Sequence, residues 1–323
     1  MLIKSRLRVQ IRIIFILFLI SGFLRPVFPQ DAKEFTNAVF LKKLNNDKSY
    51  SELKTKIVTA SAHSSSGQWG EFVKGVDEII MTQKKVIAFT FDACGGKNGN
   101  GYDKELIDFL RSEKIPATLF VSGKWIDSQF AVFLNLSRDS LFEIENHGLN
   151  HRPCSIDGKI AYGIKGTANA GEAFDEIEAN ACKIEAVTNH RPRFYRSATA
   201  YIDEACVKMA ASLDITVISY KVLSGDAVPF TPEKVIEENV VKKIKPGAIV
   251  IMHFNHPEWN TKEAMQRIVP ELRAMGYTFV LLKDVELTSV NSEPKREKIK
   301  KADTEVNSEP HINKLVEKPI VRR

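Results

Sequence analysis

Two histidines four residues apart, His147 and His151 in the run His-Gly-Leu-Asn-His, are the first residues in this chain whose type and spacing suggest chemistry. On a helical turn, side chains at i and i+4 point the same way, as two imidazole ligands of one divalent metal must. Asn146 precedes the pair, and Asp92 closes an earlier apolar run, KVIAFTFD (85–92), ahead of a Gly-rich turn reaching Gly101. That turn could be read as a phosphate cradle, but it has neither Gly-Lys-Ser/Thr nor the dinucleotide-binding spacing. Asp92 is therefore read as a carboxylate near the imidazoles or, more simply, as a helix cap. Arg196, Asp226 and His253 add a cation, a second carboxylate and a third imidazole, each at or just after another apolar run.

Positioning these groups is a matter of strand ends. Apolar, β-branched runs of strand length fall at 85–92, 117–122, 141–146, 193–197, 216–221, 248–254 and 277–284, and helix-like stretches lie between them at 103–114, 126–136, 171–187, 203–213, 231–244 and 261–275. Thr231-Pro232-Glu233 sets a capping residue before a first-turn proline, Lys245-Pro246-Gly247 stops that helix, and Gly276 stops the next. Seven strands alternating with six helices predict a parallel α/β protein whose strands are buried on both faces. Asp92, His147, Arg196 and His253 lie at or just past four different strand ends, and Asp226 follows a fifth by a few residues. Convergence from several strands at one mouth favours a barrel over an open sheet with a single switch point.

The 323 residues, 44% hydrophobic and 27% charged, exclude a collagen-like, wholly disordered or polytopic membrane chain. The net charge of +6 belongs to the ends: residues 1–30 carry five cations and no acid, residues 291–323 carry nine cations and six acids, and the body between is slightly acidic. A nucleic-acid groove is thereby disfavoured. The apolar run Ile13–Leu24 would make a helix of roughly 18 Å, short of a ~30 Å hydrocarbon core. Residues 1–30 are thus expected to be an export signal or an uncleaved N-terminal membrane anchor, and the chain to be exported to the periplasm, envelope or medium. Residues 31–67 read as a polar extension and linker, 68–290 as the barrel, and 291–323, where Asn-Ser-Glu-Pro occurs twice, as a disordered charged tail. Cys94, Cys154, Cys182 and Cys206 match no zinc-ribbon spacing; export would permit disulfides, and four cysteines allow three pairings.

Thr-Phe-Asp-Ala at 90–93, the His147/His151 pair, Arg-Phe-Tyr-Arg-Ser at 193–197, Ser-Gly-Asp-Ala at 224–227 and Ile-Val-Ile-Met-His-Phe-Asn at 249–255 occur in this order. The ordered set resembles the five motifs of the polysaccharide deacetylases, the NodB-homology group or carbohydrate esterase family 4, over roughly residues 85–284. The resemblance implies a deformed (β/α)7-type barrel and removal of N-acetyl groups from a sugar polymer such as peptidoglycan or chitin. It also implies a divalent metal, zinc first, with cobalt or nickel as alternatives. By motif it assigns Asp92 as general base, His147 and His151 as metal ligands, Arg196 as the cation holding Asp92, His253 as general acid and Asp226 as the residue that orients it.

Two positions depart from the pattern. Where the family has a second, metal-binding aspartate this chain has Ala93, so the third ligand is expected from Asp103 across the Gly-rich turn, from Asp92 itself, or from water; helix capping is the competing role for Asp103. Thr199 stands where the family usually has a tyrosine whose backbone N–H helps stabilise the oxyanion. A disulfide between Cys94 and Cys154 could brace the mouth. Asn255 and His256 are expected to line it, and Trp125 and Trp259 to pack at core or rim, with sugar stacking as their alternative. The rival function is a non-catalytic carbohydrate-binding barrel with a degraded metal site, favoured by Ala93. A non-sugar acyl amide or ester is a further alternative substrate.

Overall fold

The computed structural model describes residues 32–61 and 64–289; the expected N-terminal signal or anchor and the charged tail lie outside them. Among the described residues no helix is long and apolar enough to cross a membrane. The run Val86–Ala93 (β1) is apolar on both faces and buried from Ile87 onward, which requires layers on both sides. It sits inside a parallel sheet with Ala117–Val121 (β2), Phe142–Asn146 (β3), Phe194–Tyr195 (β4), Thr216–Val217 (β5), Val222–Leu223 (β6), Ile249–His253 (β7) and Thr278–Phe279 (β8). The order is β5-β4-β3-β2-β1-β7-β6, with β8 paired to the start of β1. Among the described residues no pairing joins β5 to β6, and the curled, barrel-type parallel sheet is the architecture that the strand-end argument anticipated.

Side-chain alternation divides β1 between two environments. Ile87, Phe89, Phe91 and Ala93 face an apolar layer that includes Leu106, Leu110, Trp125, Met265 and Ile268 from the helices. Ala88 faces inward and joins Phe120, Phe194, Ile218 and Ile249 in the barrel floor. Above that floor, on the same side, come Thr90 and then Asp92, so the strand delivers a carboxylate to the mouth and an alanine to the core.

The helices are Asn37–Asn46 (α1), Lys48–Ser61 (α2), Lys104–Ser112 (α3), Gly123–Ser128 (α4), Phe130–Leu136 (α5), Ala170–Phe174 (α6), Asn180–Thr188 (α7), Glu204–Ser212 (α8), Glu233–Val241 (α9) and Thr261–Ala274 (α10). Several differ from expectation. The stretch at 126–136 lies within two short helices that meet at Gln129. The last strand pattern gives only two strand residues before a 3-10 turn at Leu282–Asp284. Between α6 and α7 the chain makes a π-helical turn, Asp175–Ala179. Pro232 itself occupies the cap position of α9.

Residues 31–67 are not simply a linker. Phe40, Tyr50 and Ile57 of α1 and α2 are buried, the last two in the cluster with Phe174 and Ile177. Asn37 receives a bond from the Lys183 ammonium at 2.7 Å and donates to the Leu149 carbonyl at 2.5 Å. Weak amphipathic periodicity hid this packing, because only a few large side chains per helix reach the barrel. Lys183 is wholly buried, donating also to the Gly123 carbonyl at 3.0 Å and to Asp127. Lys183→Met is expected to cost on the order of 3 kcal/mol in urea unfolding, because it strands a carboxylate and two other oxygens; the usual 3–5 is discounted for the partial exposure of Asp127. A loss below about 1 kcal/mol would show that the contact is dispensable.

Candidate functional site

The mouth is organised by register. Asp92 and His253 are direct partners on adjacent parallel strands, β1 and β7. Two strands from β1, on the side away from β7, β3 ends at Asn146 opposite Tyr195, so His147 and Arg196 leave the sheet side by side. Arg196 is fully buried and donates to Asp92 Oδ1 at 2.8 Å and to the Ser219 carbonyl at 2.9 Å, its guanidinium lying 4.3 Å from the centroid of the Phe120 ring. Asp92 Oδ2 faces His147 Nε2 at 3.7 Å. The Arg196 carbonyl lies 2.8 Å from His147 Nδ1. A carbonyl can only accept, so Nδ1 carries a proton, and in the neutral ring Nε2 presents its lone pair to the mouth.

His151 reaches the same place through a loop and not the helical turn that its spacing suggested. It adopts a left-handed φ of 52°, and its ring centroid lies 4.9 Å from that of His147. Its Nε2 is buried and has no hydrogen-bond partner among the described residues. The loop is held by the π-helical turn: Glu176 accepts from the Asn150 N–H at 3.0 Å and from the Arg152 N–H at 2.9 Å, and its carbonyl accepts from Leu149. Burial pushes the Glu176 carboxyl up to about 7, against the pull of these N–H groups. Gly148 has φ +84°, and a Cβ there would lie 2.4 Å from Glu176 Oε1, so only glycine fits. Such π turns recur at functional sites.

On the other side of the mouth, Asp226 is buried and surrounded by donors. It takes Ser224 Oγ at 2.8 Å, Thr261 Oγ1 at 3.1 Å and the His253 N–H at 2.7 Å, and its Oδ1 lies 3.1 Å from His253 Nδ1. Burial draws the His253 pKa down, but the charge and hydrogen bond of Asp226 outweigh it and hold the imidazole well above the usual histidine range. Thr199 has a φ of 63°, a left-handed conformation unusual for a β-branched residue and costing about 1–3 kcal/mol.

The structure thus brings Asp92, His147, His151, Arg196, Asp226 and His253 to one mouth. Asp103 goes elsewhere: it is the N-cap of α3, accepting from the Leu106 N–H at 2.9 Å, and burial pushes its carboxyl up to about 6. A group outside the expected set takes its place. Cys94 Sγ lies 4.0 Å from His147 Nε2, and Cys94, His147 and His151 each offer one donor atom within 4.8 Å of the others. A divalent metal suits this donor set, and the buried, unsatisfied Nε2 of His151 is the observation that carries the fit. All four cysteines are free thiols, so the Cys94–Cys154 bridge is not formed. Trp125 is a core residue, edge-on to Phe254 at 5.0 Å with its Nε1–H on the Gly101 carbonyl. Asn255 is buried and donates to the Gly99 carbonyl at 2.9 Å, while His256 stacks on Trp259 at 3.5 Å, next to His253.

Sequence reading passed over the aromatic rim. Tyr220 packs with Ala200 and Ile251 inside the mouth and lies 5.3 Å from Phe72, and both Tyr220 and the exposed Tyr162 donate to Glu71. These rings come from three separate segments, so no local pattern announces them. A cavity of about 350 Å³ lined by Arg138, Glu143, Glu145 and Arg193 contains none of the mouth residues and has no bearing on this chemistry.

Residues 80–218 match the family model described as polysaccharide deacetylase. A peptidoglycan-N-acetylglucosamine deacetylase of Bacillus cereus is 28% identical over 211 residues, 64% of this chain and 90% of that one. The structure is similar to a carbohydrate esterase family 4 pseudoenzyme from Bacillus anthracis (TM-score 0.53, 25% identity, 62% of this chain and 65% of the other). It is also similar to the family 4 carbohydrate esterase PdaA of Bacillus subtilis (TM-score 0.55, 21% identity, 74% and 89%).

Glu176 touches no proposed ligand atom but fixes the loop that carries His151. Glu176→Ala is expected to weaken zinc binding about 10–100-fold in competition with a chromogenic chelator, and Glu176→Gln, which keeps one acceptor oxygen, much less. Equal affinity in all three proteins would show that the loop holds itself.

Proposed function

Because the chain belongs to the polysaccharide deacetylase family, hydrolases of the amide bond of N-acetyl groups, we propose that it deacetylates an N-acetylamino-sugar polymer of the cell envelope, peptidoglycan first, in a metal-dependent reaction after export. The observation that carries this reading is the pairing across the mouth of Asp92, held by Arg196, with His253, held by Asp226, beside two imidazoles whose Nε2 atoms face inward. That is a base and an acid on adjacent strands with a metal position next to them.

A divalent ion held by His147 and His151, zinc first and cobalt or nickel as alternatives, supplies Lewis-acid polarisation of the acyl oxygen and a lowered pKa for water. The protein's own groups do the rest. Arg196 engages Oδ1 of Asp92 and leaves Oδ2 to take a proton from the water attacking the acetyl carbon. The Thr199 backbone N–H is assigned to the oxyanion, a role that does not need the tyrosine side chain. As the C–N bond breaks, His253 Nε2 protonates the departing amine, while Asp226 orients the ring and balances its charge. The products are acetate and a free amino sugar. The rim rings at Phe72, Tyr162 and Trp259 offer apolar faces to sugar rings.

A second reading has its own support. Ala93 removes the usual carboxylate ligand, and one similar structure is described as a pseudoenzyme, so a polysaccharide-binding barrel without turnover is the alternative. The two separate on acetate release from N-acetylated oligosaccharides. Deacetylation predicts that Asp92→Asn and His253→Ala each lower release about 10²–10⁴-fold, measured on protein that circular dichroism shows to be folded. A binding module predicts no release above buffer from the wild-type chain, and unaltered polymer binding by both variants.

A further inference from the structure

We propose that Cys94 is the third protein ligand of the metal, giving a Cys-His-His centre with a thiolate where relatives of this fold class use a carboxylate, and that this centre selects Zn²⁺ or Co²⁺ over Mg²⁺ and Mn²⁺. The inference rests on the proposal that the mouth binds a divalent ion, and extends it to the identity of the site.

Four observations carry it. The alternation of β1 sends Ala93 into the apolar layer with Trp125 and Ile126, where a carboxylate could not be solvated, and sends Cys94 to the same side as Asp92. The Cys94 backbone is fixed: its carbonyl accepts from Ser122 Oγ at 2.6 Å, and the following turn closes with the Gly95 N–H on the Gly99 carbonyl at 2.9 Å. Gly95 has φ +75°, and a Cβ there would lie 2.5 Å from the Trp125 nitrogen, so the turn is seated directly against α4. The imidazoles supply the other two donors, His147 Nε2 because its Nδ1 is engaged by Arg196, and His151 Nε2 because it is buried without a hydrogen-bond partner. Finally, the carboxylates that could compete are engaged: Asp103 caps α3, and one oxygen of Asp92 is held by Arg196.

The donor atoms lie within 4.8 Å of one another, against the roughly 3.5 Å that bonds of about 2.0–2.3 Å to a tetrahedral ion require. Small side-chain rotations close the difference. Three protein ligands leave a fourth position open, the arrangement of catalytic rather than structural zinc. Thiolate is a soft donor, so it favours zinc and cobalt and disfavours the hard ions that prefer all-oxygen shells. It also makes the site visible, because thiolate bound to Co²⁺ gives an intense near-ultraviolet charge-transfer band.

The test is a Co²⁺ titration of the metal-free full-length chain under reducing, oxygen-free conditions, in the absence of substrate. Expected are one equivalent bound, a thiolate-to-cobalt band that Zn²⁺ abolishes and excess Mg²⁺ does not, and loss of the band in Cys94→Ser with affinity reduced at least about tenfold. Cys94→Asp, a variant that controls for folding, should bind cobalt without the band. Cobalt bound by wild type with no band, or a band that survives Cys94→Ser, overturns the assignment. So does an acetyl group found by mass spectrometry on Cys94 of metal-free protein after incubation with substrate, which would make the sulfur a nucleophile. Failure of the deacetylase reading is separate: a cobalt–thiolate band in a chain that releases no acetate keeps the ligand and discards the activity.

Discussion

The ion pair between Arg196 and Asp92 is the constraint on which the mouth depends. Both side chains are almost wholly removed from water, so neither charge is tolerable without the other. Removing one partner of such a pair costs about 3–5 kcal/mol, a large part of the stability of an ordinary domain. Arg196 also fixes its surroundings. Its second nitrogen bonds the Ser219 carbonyl beyond β5, its plane covers Phe120 on β2, and its own carbonyl sets the tautomer of His147. One residue at the end of a two-residue strand therefore ties four strands to the geometry of Asp92 and His147. Position and stability are coupled here.

Asp226 does for His253 what Arg196 does for Asp92, but with a different balance of forces. A buried carboxylate with three donors around it holds the pKa of the imidazole beside it well above the usual histidine range, against that imidazole's own burial. The mouth thus holds a carboxylate and an imidazole at partnered positions on adjacent strands. Because each is held by a second buried group, they need not pair with one another.

Much of this was legible in the sequence because it depends on strand ends. Apolar runs set β1, β3 and β7, and a polar residue just past each run can only be at the mouth. Less was legible where the geometry is made by loops. His147 and His151 share a face through a left-handed residue and a Glu176 bridge, which i,i+4 spacing anticipated for the wrong reason. Asp103 and Cys94 flank one Gly-rich turn, and of the two the sequence reading named only Asp103 as a ligand, because spacing alone does not say which one the turn sends inward. Counting parity from Asp92 would have favoured Cys94, two residues on, over Asp103, whose position just before an amphipathic helix marks a cap. The packing of α1 and α2 and the aromatic rim arise from contacts across large sequence separations and leave no local trace.

The structural likeness includes both an esterase and a pseudoenzyme, so the fold alone does not decide whether this mouth turns over. The proposal of turnover rests on two supported pairs, Asp92 with Arg196 and His253 with Asp226. The decisive measurement is acetate released from peptidoglycan by the full-length zinc-loaded protein, by the same protein stripped with chelator, and after zinc is restored. Release that disappears on stripping and returns with zinc is the predicted result. Release that persists in fully stripped protein, or none from the zinc-loaded protein on any N-acetylated polymer, would contradict it.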